Sequence, residues 1–169
     1  MVKTGRFKLD KLAWKSGDVS QLDEEQKNSR ILPSVELCYA DGRSSGIQFH
    51  GVPGGHEFNS FIIALYNVAG PGQEVDAAAA EKLRGIQKKI NVKVLVSLSC
   101  TICPETVMSA QKAAVLSEKV EAEMFDLAHF PKLKERYKIM SVPCIVLNDE
   151  KVLFGKKGIQ ELADILSEV

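Results

Sequence analysis

The sequence has no apolar run long enough to cross a membrane and no excess of charge of either sign. A bilayer-spanning helix needs roughly 20 consecutive apolar residues, and no segment of the 169-residue chain approaches that length. The 22 lysines and arginines balance the 22 aspartates and glutamates, and no basic stripe with interleaved aromatic residues occurs. We therefore expect neither a membrane nor nucleic acid as a partner.

Two further absences bear on location and on cofactors. The opening residues MVKTGRFKLDKL are basic but lack the apolar stretch of a signal peptide, so we expect a cytoplasmic protein. Nor does the chain contain the glycine fingerprint of a dinucleotide-binding turn. Glycines 51, 54 and 55 are spaced differently and favour a turn into a helix over an anion-binding nest. We expect no bound cofactor.

The remaining composition, 45% hydrophobic and 26% charged, is that of an ordinary globular protein. Apolar periodicity predicts an α/β fold with a mixed sheet and helices on both faces. The predicted strands are 34–40, 46–52, 92–98, 120–126, 144–147 and 152–154, with a short edge strand near Val19–Leu22. The predicted helices are 58–69, 74–89, a helix from the C-x-x-C motif to about 118, 130–137 and 158–168.

The two halves of the chain contain similar segments that are offset by 110 residues. The segment ILPSVEL at 31–37 aligns with SVPCIVL at 141–147, and each is followed by a turn with aspartate, a short strand, a glycine and a helix. Such a repeat predicts two copies of one supersecondary unit packed side by side. The sequence Gly70-Pro71-Gly72 separates them, so we expect a truncated half without a C-x-x-C motif at 1–72 and a domain that carries this motif at 73–169.

The motif C-x-x-C, formed by Cys100 and Cys103, is the strongest chemical signal. It lies at a strand-to-helix junction, where free backbone N–H groups and the helix dipole stabilise a thiolate at Cys100. That thiolate can attack a disulfide, and Cys103 can resolve the mixed disulfide. Thr101 and Ile102, which separate the two cysteines, are expected to contact the substrate.

Zinc binding is the main structural alternative for the cysteines. A structural zinc site usually takes two closely spaced cysteine pairs, whereas this chain has one pair and the single residues Cys38 and Cys144. We expect both single cysteines to be small core residues, although Cys144 follows a proline and could be a third redox partner.

The histidines and Glu57 each admit a simple interpretation. His50, His56 and His129 show no metal-ligand spacing and are expected at the surface or at helix caps. Glu57 opens a helix, where the dipole favours a carboxylate. The functional alternative is that Glu57 reaches the dithiol across the junction of the halves and tunes or shuttles its protons.

Two segments carry a family resemblance: GGHEFNSFIIAL at 54–65 and, after a linker helix, SLSCTICPETV at 97–107. Together they resemble the N-terminal domain of the flavoprotein subunit of alkyl hydroperoxide reductase, over roughly residues 31–169. The resemblance implies two joined thioredoxin-like folds of the thioredoxin/glutaredoxin superfamily, the first truncated here and redox-silent. In such sheets the proline of Val142-Pro143 would be cis and would face the dithiol, where the preceding backbone can pair with a substrate peptide.

The resemblance also implies partners. Cys100 and Cys103 would accept electrons from a flavoprotein reductase and pass them to a peroxiredoxin, with Glu57 near the dithiol. FAD and NAD(P)H are expected only on a partner reductase or on a missing domain. An incomplete first sheet would expose a strand edge, which another chain, such as a second copy in a homodimer, or another part of the same protein would cover. The alternatives are a general glutaredoxin- or thioredoxin-like disulfide reductase, a zinc-binding module and a scaffolding module.

Overall fold

A computed structural model describes residues 31–169, and all structural statements below refer to them. The expected edge strand near residues 19–22 lies outside the described residues. These residues form six strands and five helices. The strands are β1 (Ser34–Cys38), β2 (Ser44–His50), β3 (Ile90–Val96), β4 (Val120–Asp126), β5 (Cys144–Leu147) and β6 (Lys151–Phe154), and the helices are α1 (Glu57–Ala69), α2 (Ala77–Arg84), α3 (Cys103–Leu116), α4 (Pro131–Arg136) and α5 (Ile159–Ser167).

All six strands belong to one mixed sheet, in the order β1-β2-β4-β3-β5-β6. Strands β2, β4 and β3 run parallel, whereas β1, β5 and β6 pair antiparallel with their neighbours. The β1–β2 hairpin therefore extends the sheet of the C-terminal part through the β2–β4 pair, and β1 is an edge strand of the sheet that residues 31–169 form. The carboxyl ends of the three parallel strands meet at one edge of the sheet, which we call the C-edge.

The main core lies between one sheet face and the layer of α1, α2, α3 and α5. Strand residues at alternate positions point into it, including Phe49 of β2 and Met124 of β4, because side chains of a strand alternate between its two faces. The ring of Phe61 on α1 packs edge-on against Phe49 at 5.6 Å between centroids. Helix α1 is thus fixed over the sheet beside α3.

The opposite face carries a smaller core beneath α4, built from Leu95, Phe125, Val146 and Cys144 with flanking residues of the α4 region. Helices therefore lie on both faces, as predicted, although of the described helices only the short α4 covers this one. No helix among residues 31–169 is long and apolar enough to span a membrane.

The internal repeat is visible in the backbone. The Leu32-Pro33 and Val142-Pro143 peptide bonds are both cis, and each proline precedes the first strand of an antiparallel hairpin. The Pro33 carbonyl accepts a hydrogen bond from the Gly51 N–H at 2.8 Å, and the Pro143 carbonyl accepts one from the Gly155 N–H at 3.0 Å. The aligned segments 31–37 and 141–147 therefore share a local backbone arrangement. The two hairpins lie at opposite ends of the sheet, separated by β4 and β3, and do not pack side by side as predicted.

One predicted helix is too long. Residues 74–89 were expected to be helical, but α2 spans only Ala77–Arg84. Asp76 caps its start by accepting hydrogen bonds from the N–H groups of Ala78 and Ala79, and Gly85 follows its last residue. A carboxylate cap and a glycine are strong boundary signals, and they outweigh the apolar periodicity that continues to Ile86.

Candidate functional site

Cys100 and Cys103 form a disulfide at the C-edge, immediately after β3, with their Cα atoms 5.5 Å apart. Cys100 is partly exposed, whereas Cys103 is completely buried in the main core. Helix α3 begins at Cys103 with Pro104 in its first turn, so Cys100 precedes the helix instead of opening it as expected. This asymmetry leaves Cys100 as the sulfur that another molecule can reach.

The start of α1 supports the loop that leads into the disulfide. The His56 N–H donates a hydrogen bond to the Leu98 carbonyl oxygen at 3.0 Å. Gly55 has a φ of +54°, and a Cβ there would overlap the same carbonyl oxygen. Only glycine fits this position without strain, because it tolerates positive φ and leaves room for the other backbone. The β1–β2–α1 segment thereby contacts the residues directly ahead of Cys100.

Glu57, the first residue of α1, is completely buried. Its Oε2 accepts a hydrogen bond from the Ser60 hydroxyl at 2.5 Å, while its Oε1 has no partner among the described residues. Burial raises the pKa of this carboxyl to about 7, although the Ser60 hydrogen bond acts in the opposite direction. A carboxyl in this environment gains and loses a proton near neutral pH, as proton-transferring groups do. Sequence reasoning missed Ser60, although its spacing of three residues from Glu57 on a helix was a usable signal.

The other predicted contact residues lie between the two cysteines and in the segment before β5, where Pro143 is buried. Thr101 and Ile102 are exposed between the two cysteines. Val142 is half-buried against the same core cluster that Cys100 contacts, and the Val142-Pro143 bond is cis, as predicted. Because β5 runs antiparallel to β3, with Cys144 opposite Leu95, the Val142-Pro143 segment lies at the C-edge together with the disulfide.

The two remaining cysteines are free thiols. Cys144 is buried as expected, but in the smaller core on the other sheet face, where burial raises its pKa to about 11. Cys38 was expected in the core and is instead exposed on the edge strand β1. No group of three or more His, Cys, Asp or Glu side chains within 31–169 is placed to hold a metal ion.

The prediction of a surface position was wrong for His50. This side chain is buried at the end of β2, where its ring stacks on Phe125 at 4.2 Å between centroids. Its Nδ1 faces the Ile31 carbonyl oxygen at 2.9 Å, and its Nε2 faces Glu123 Oε1 at 3.1 Å. The burial follows from the β2–β4 pairing, which makes β2 an internal strand.

His56 is exposed at the start of α1 and makes no side-chain cap, whereas His129 is half-exposed. The Nδ1 of His129 lies 2.7 Å from Oδ2 of the buried Asp126. Gly51 and Gly55, which lead into α1, lie close to Asp126 and Leu98, respectively.

This fold and this disulfide define a class of protein: a thioredoxin-like dithiol–disulfide oxidoreductase. Residues 90–167 match the protein family described as thioredoxin domain.

Larger parts of the chain match more specific relatives. The N-terminal domain of the alkyl hydroperoxide reductase AhpF from Enterococcus faecalis is 39% identical, with a TM-score of 0.79. The match covers 85% of this chain and 69% of that one. The AhpF proteins of Pseudomonas aeruginosa and Staphylococcus aureus are 37% and 30% identical over 121 and 162 residues, which are 72% and 95% of this chain.

The chain belongs to the family of the AhpF N-terminal domain. It spans only 23% of the Pseudomonas protein and 31% of the Staphylococcus protein.

Proposed function

We propose that this chain relays electrons from a flavoprotein reductase to the disulfide of a peroxiredoxin, and so serves peroxide detoxification. The observation that carries the proposal is the disulfide between partly exposed Cys100 and fully buried Cys103. An exposed sulfur can exchange with a partner, and a buried one can resolve the intermediate without meeting that partner. Membership of the AhpF N-terminal family supports peroxiredoxin as the partner class.

The relay step transfers two electrons. In the reduced protein, the Cys100 thiolate attacks one sulfur of the partner disulfide, which forms an intermolecular S–S bond and releases the second partner sulfur as a thiolate. The Cys103 thiolate then attacks Cys100 Sγ, which forms the Cys100–Cys103 disulfide and releases the first partner sulfur. Two thiolates leave and take up protons. The dithiol of the flavoprotein reductase restores the reduced state by the same exchange in reverse.

Glu57 is the proposed proton acceptor and donor for this exchange. Its pKa of about 7 suits a group that must change protonation near neutral pH, and its helix begins against Leu98, two residues before Cys100. Replacing Glu57 by Gln should shift the pH dependence of Cys100 alkylation in the reduced protein. An unchanged profile would leave Glu57 with only its structural role at the start of α1.

Substrate contact is assigned to Thr101, Ile102, Val142 and Pro143. The first two are exposed between the cysteines, and the other two lie at the same C-edge. The backbone before cis-Pro143 would pair with an extended partner segment and align its disulfide with Cys100.

The organisation of the redox system follows from this assignment. FAD and NAD(P)H would bind to a separate reductase or to another part of a longer protein, and this chain would bind neither. Residues 1–72 would form the redox-silent half and 73–169 the redox-active half. Two of the four cysteines are free thiols, which fits a reducing compartment, and we assign the protein to the cytoplasm.

A trapping experiment tests the relay. Cys103→Ser, once reduced, should accumulate a mixed disulfide with an oxidised two-cysteine peroxiredoxin, whereas Cys100→Ser should form none. The wild-type chain, kept reduced by a flavoprotein reductase and NADH, should reduce the peroxiredoxin much faster than it reduces insulin. Equal rates would favour a general disulfide reductase. Full turnover by Cys103→Ser would contradict the dithiol mechanism.

A further inference from the structure

Three methionines lie among residues 31–169, and they differ in how far solvent reaches them. Met124 on β4 is buried in the main core, with 1% of its surface exposed. Met108 on α3 is half-buried, and its sulfur accepts a hydrogen bond from the Asn59 side-chain amide at 3.9 Å. Met140 is 84% exposed, and it is the most exposed of the large apolar side chains of this region. A small reagent in the solvent can therefore reach the thioether sulfur of Met140 directly.

The backbone around residue 140 explains this exposure. Just after the end of α4, the Ile139 N–H donates a hydrogen bond to the Lys134 carbonyl oxygen at 2.9 Å. Ile139 is buried in the smaller core, and Val142 packs against both cores. Met140 and Ser141 form the short connection between these two inward-facing residues, so their own side chains project into solvent.

Met140 also lies in the segment that leads to cis-Pro143 at the C-edge. Strand β5, which follows this proline, begins at the same edge as the end of β3, where Cys100 lies. In the proposed function, an extended segment of the partner pairs with the backbone before cis-Pro143. A partner chain in that position passes beside Met140, which precedes Val142 by two residues.

A peroxide oxidises an exposed thioether in one two-electron step. The sulfur attacks one oxygen of the peroxide ROOH, so that an S–O bond forms and the O–O bond breaks. The leaving oxygen takes up the proton of the transferred oxygen and departs as ROH. The sulfur is thereby oxidised and the peroxide is reduced. The product, methionine sulfoxide, is polar, whereas methionine is apolar.

We infer that Met140 is a site of oxidation by peroxide, and that its sulfoxide slows electron transfer from Cys100 to the partner disulfide. The inference rests on the proposed function, in which the chain serves peroxide reduction. A partner chain beside residue 140 would cover the sulfoxide oxygen and remove it from water. Burying a polar group without a hydrogen bond is unfavourable. The partner disulfide would therefore reach Cys100 less often.

The oxidised forms of the dithiol and of Met140 differ in how they are reduced again. Peroxide converts the Cys100 thiolate to a sulfenic acid, and the Cys103 thiol condenses with it to form the disulfide and water. The electron donor of the chain then reduces this disulfide. A sulfoxide at Met140 is reduced instead by methionine sulfoxide reductases. The slower rate would therefore outlast a single catalytic cycle of the dithiol.

Site-specific oxidation of the full chain tests the inference. Exposed Cys38 is first blocked with iodoacetamide while the disulfide is intact, and the chain is then treated with hydrogen peroxide. Mass spectrometry should detect sulfoxide at Met140 well before it appears at Met108 or Met124, because these two are less exposed. The peroxide is removed, the disulfide is reduced with dithiothreitol, and the dithiothreitol is removed in turn.

Two rates are then measured on the reduced chain. The first is the reduction of an oxidised two-cysteine peroxiredoxin, and peroxide treatment should slow it at least about fivefold. The second is the release of thionitrobenzoate from 5,5′-dithiobis(2-nitrobenzoate), which should be unchanged, because this small reagent needs access to Cys100 only. Incubation with methionine sulfoxide reductases of both epimer specificities should restore the first rate.

Met140→Leu and Met108→Leu are a matched pair of variants. Each replaces one thioether by an apolar side chain of similar size. For each variant, the rate of peroxiredoxin reduction after peroxide treatment is divided by the rate before it. This ratio should stay near one for Met140→Leu, whereas Met108→Leu should slow as much as the wild-type chain does.

Two results would overturn the inference and leave the dithiol function intact. One is a loss of rate in Met140→Leu that equals the loss in the wild-type chain, because another residue would then be responsible. The other is an unchanged rate of peroxiredoxin reduction by a chain that carries sulfoxide at Met140. If the untreated chain releases thionitrobenzoate but does not reduce the peroxiredoxin, the proposed function fails, and this inference fails with it.

Discussion

Replacing Glu57 by Gln should stabilise the protein at alkaline pH and much less at acidic pH. Burial raises the pKa of Glu57 from 4.5 to about 7, so the folded state binds this proton more tightly than the unfolded state. Each unit of pKa corresponds to about 1.4 kcal/mol, so the ionised carboxyl destabilises the fold by about 3 kcal/mol above pH 7. Below pH 4.5 the carboxyl is protonated and does not lower the free energy of unfolding. As the pH rises through 7 the carboxyl ionises, and the free energy of unfolding falls by this amount.

Urea unfolding of the oxidised protein measures this difference. Gln keeps the side-chain length and the acceptor for Ser60, but it cannot ionise. At about pH 8, Glu57→Gln should be more stable than the wild type by up to about 3 kcal/mol, and at about pH 5 by less than about 1 kcal/mol.

The matched control for Glu57→Gln is Glu161→Gln. Glu161 is also a first-turn glutamate, on α5, but it is exposed and paired with Lys157 at 2.7 Å. Its replacement should change stability by less than about 0.5 kcal/mol at either pH. An advantage of Glu57→Gln that is the same at both pH values would refute the assignment of a buried, titrating carboxyl, as would a loss of stability at alkaline pH.

Three further substitutions or labelling experiments test separate parts of the structure. Gly55→Ala should lower the free energy of unfolding by about 1–3 kcal/mol, because residue 55 has a positive φ and its new Cβ would overlap a carbonyl oxygen. Gly54→Ala is the control, and an equal loss of stability in both variants would contradict this contact. Burial alone would raise the pKa of Glu123, but hydrogen bonds from His50 and Asn91 and the nearby Lys93 charge lower it overall. Glu123→Gln should therefore destabilise the protein at neutral pH, and the difference should vanish as the pH falls below 4.5 and through the lower folded-state pKa; a pH-independent difference in urea unfolding would count against this. Iodoacetamide should label exposed Cys38 in the native protein and buried Cys144 only after unfolding, as mass spectrometry can show; native labelling of Cys144 would mean that the smaller core is open.

Local sequence signals predicted the limits of some elements to the exact residue. Strands β4 and β5 were predicted with their observed limits, Val120–Asp126 and Cys144–Leu147. Pro143 fixes the start of β5, and Asn148-Asp149, both with positive φ, form the turn that ends it. Boundaries of this kind depend on residues that are adjacent in the sequence, so the sequence alone is sufficient to predict them.

The positions of single side chains across the sheet were less predictable. His50 is buried and Cys38 is exposed, the reverse of both predictions. The alternation of apolar and polar residues along the β1–β2 hairpin shows which residues share a face of the sheet. It does not show that β4 pairs with β2 and brings Phe125 and Glu123 beside His50, because that contact joins residues more than 70 positions apart.

The candidate site was predictable in its cysteines and less so in its surroundings. The C-x-x-C motif after a buried strand indicated Cys100 and Cys103 directly. The role of Gly55 required knowledge of where the Leu98 carbonyl lies. Neither a sequence motif nor the periodicity of apolar residues predicts such a backbone contact between two parts of a chain.

The pairing of β2 with β4 has a consequence for dissecting this protein in the laboratory. A fragment that starts at residue 73 would keep the dithiol and every strand from β3 onward, but it would lose the partner of β4 along Ile47–His50. The backbone N–H and C=O groups of β4 would then form an open edge, ready to recruit a β-strand from another molecule. Judged from its sequence, such a fragment would resemble a minimal redox module. In solution we expect it to form oligomers. Biochemical work on the dithiol should therefore use a chain that retains the β1–β2 hairpin.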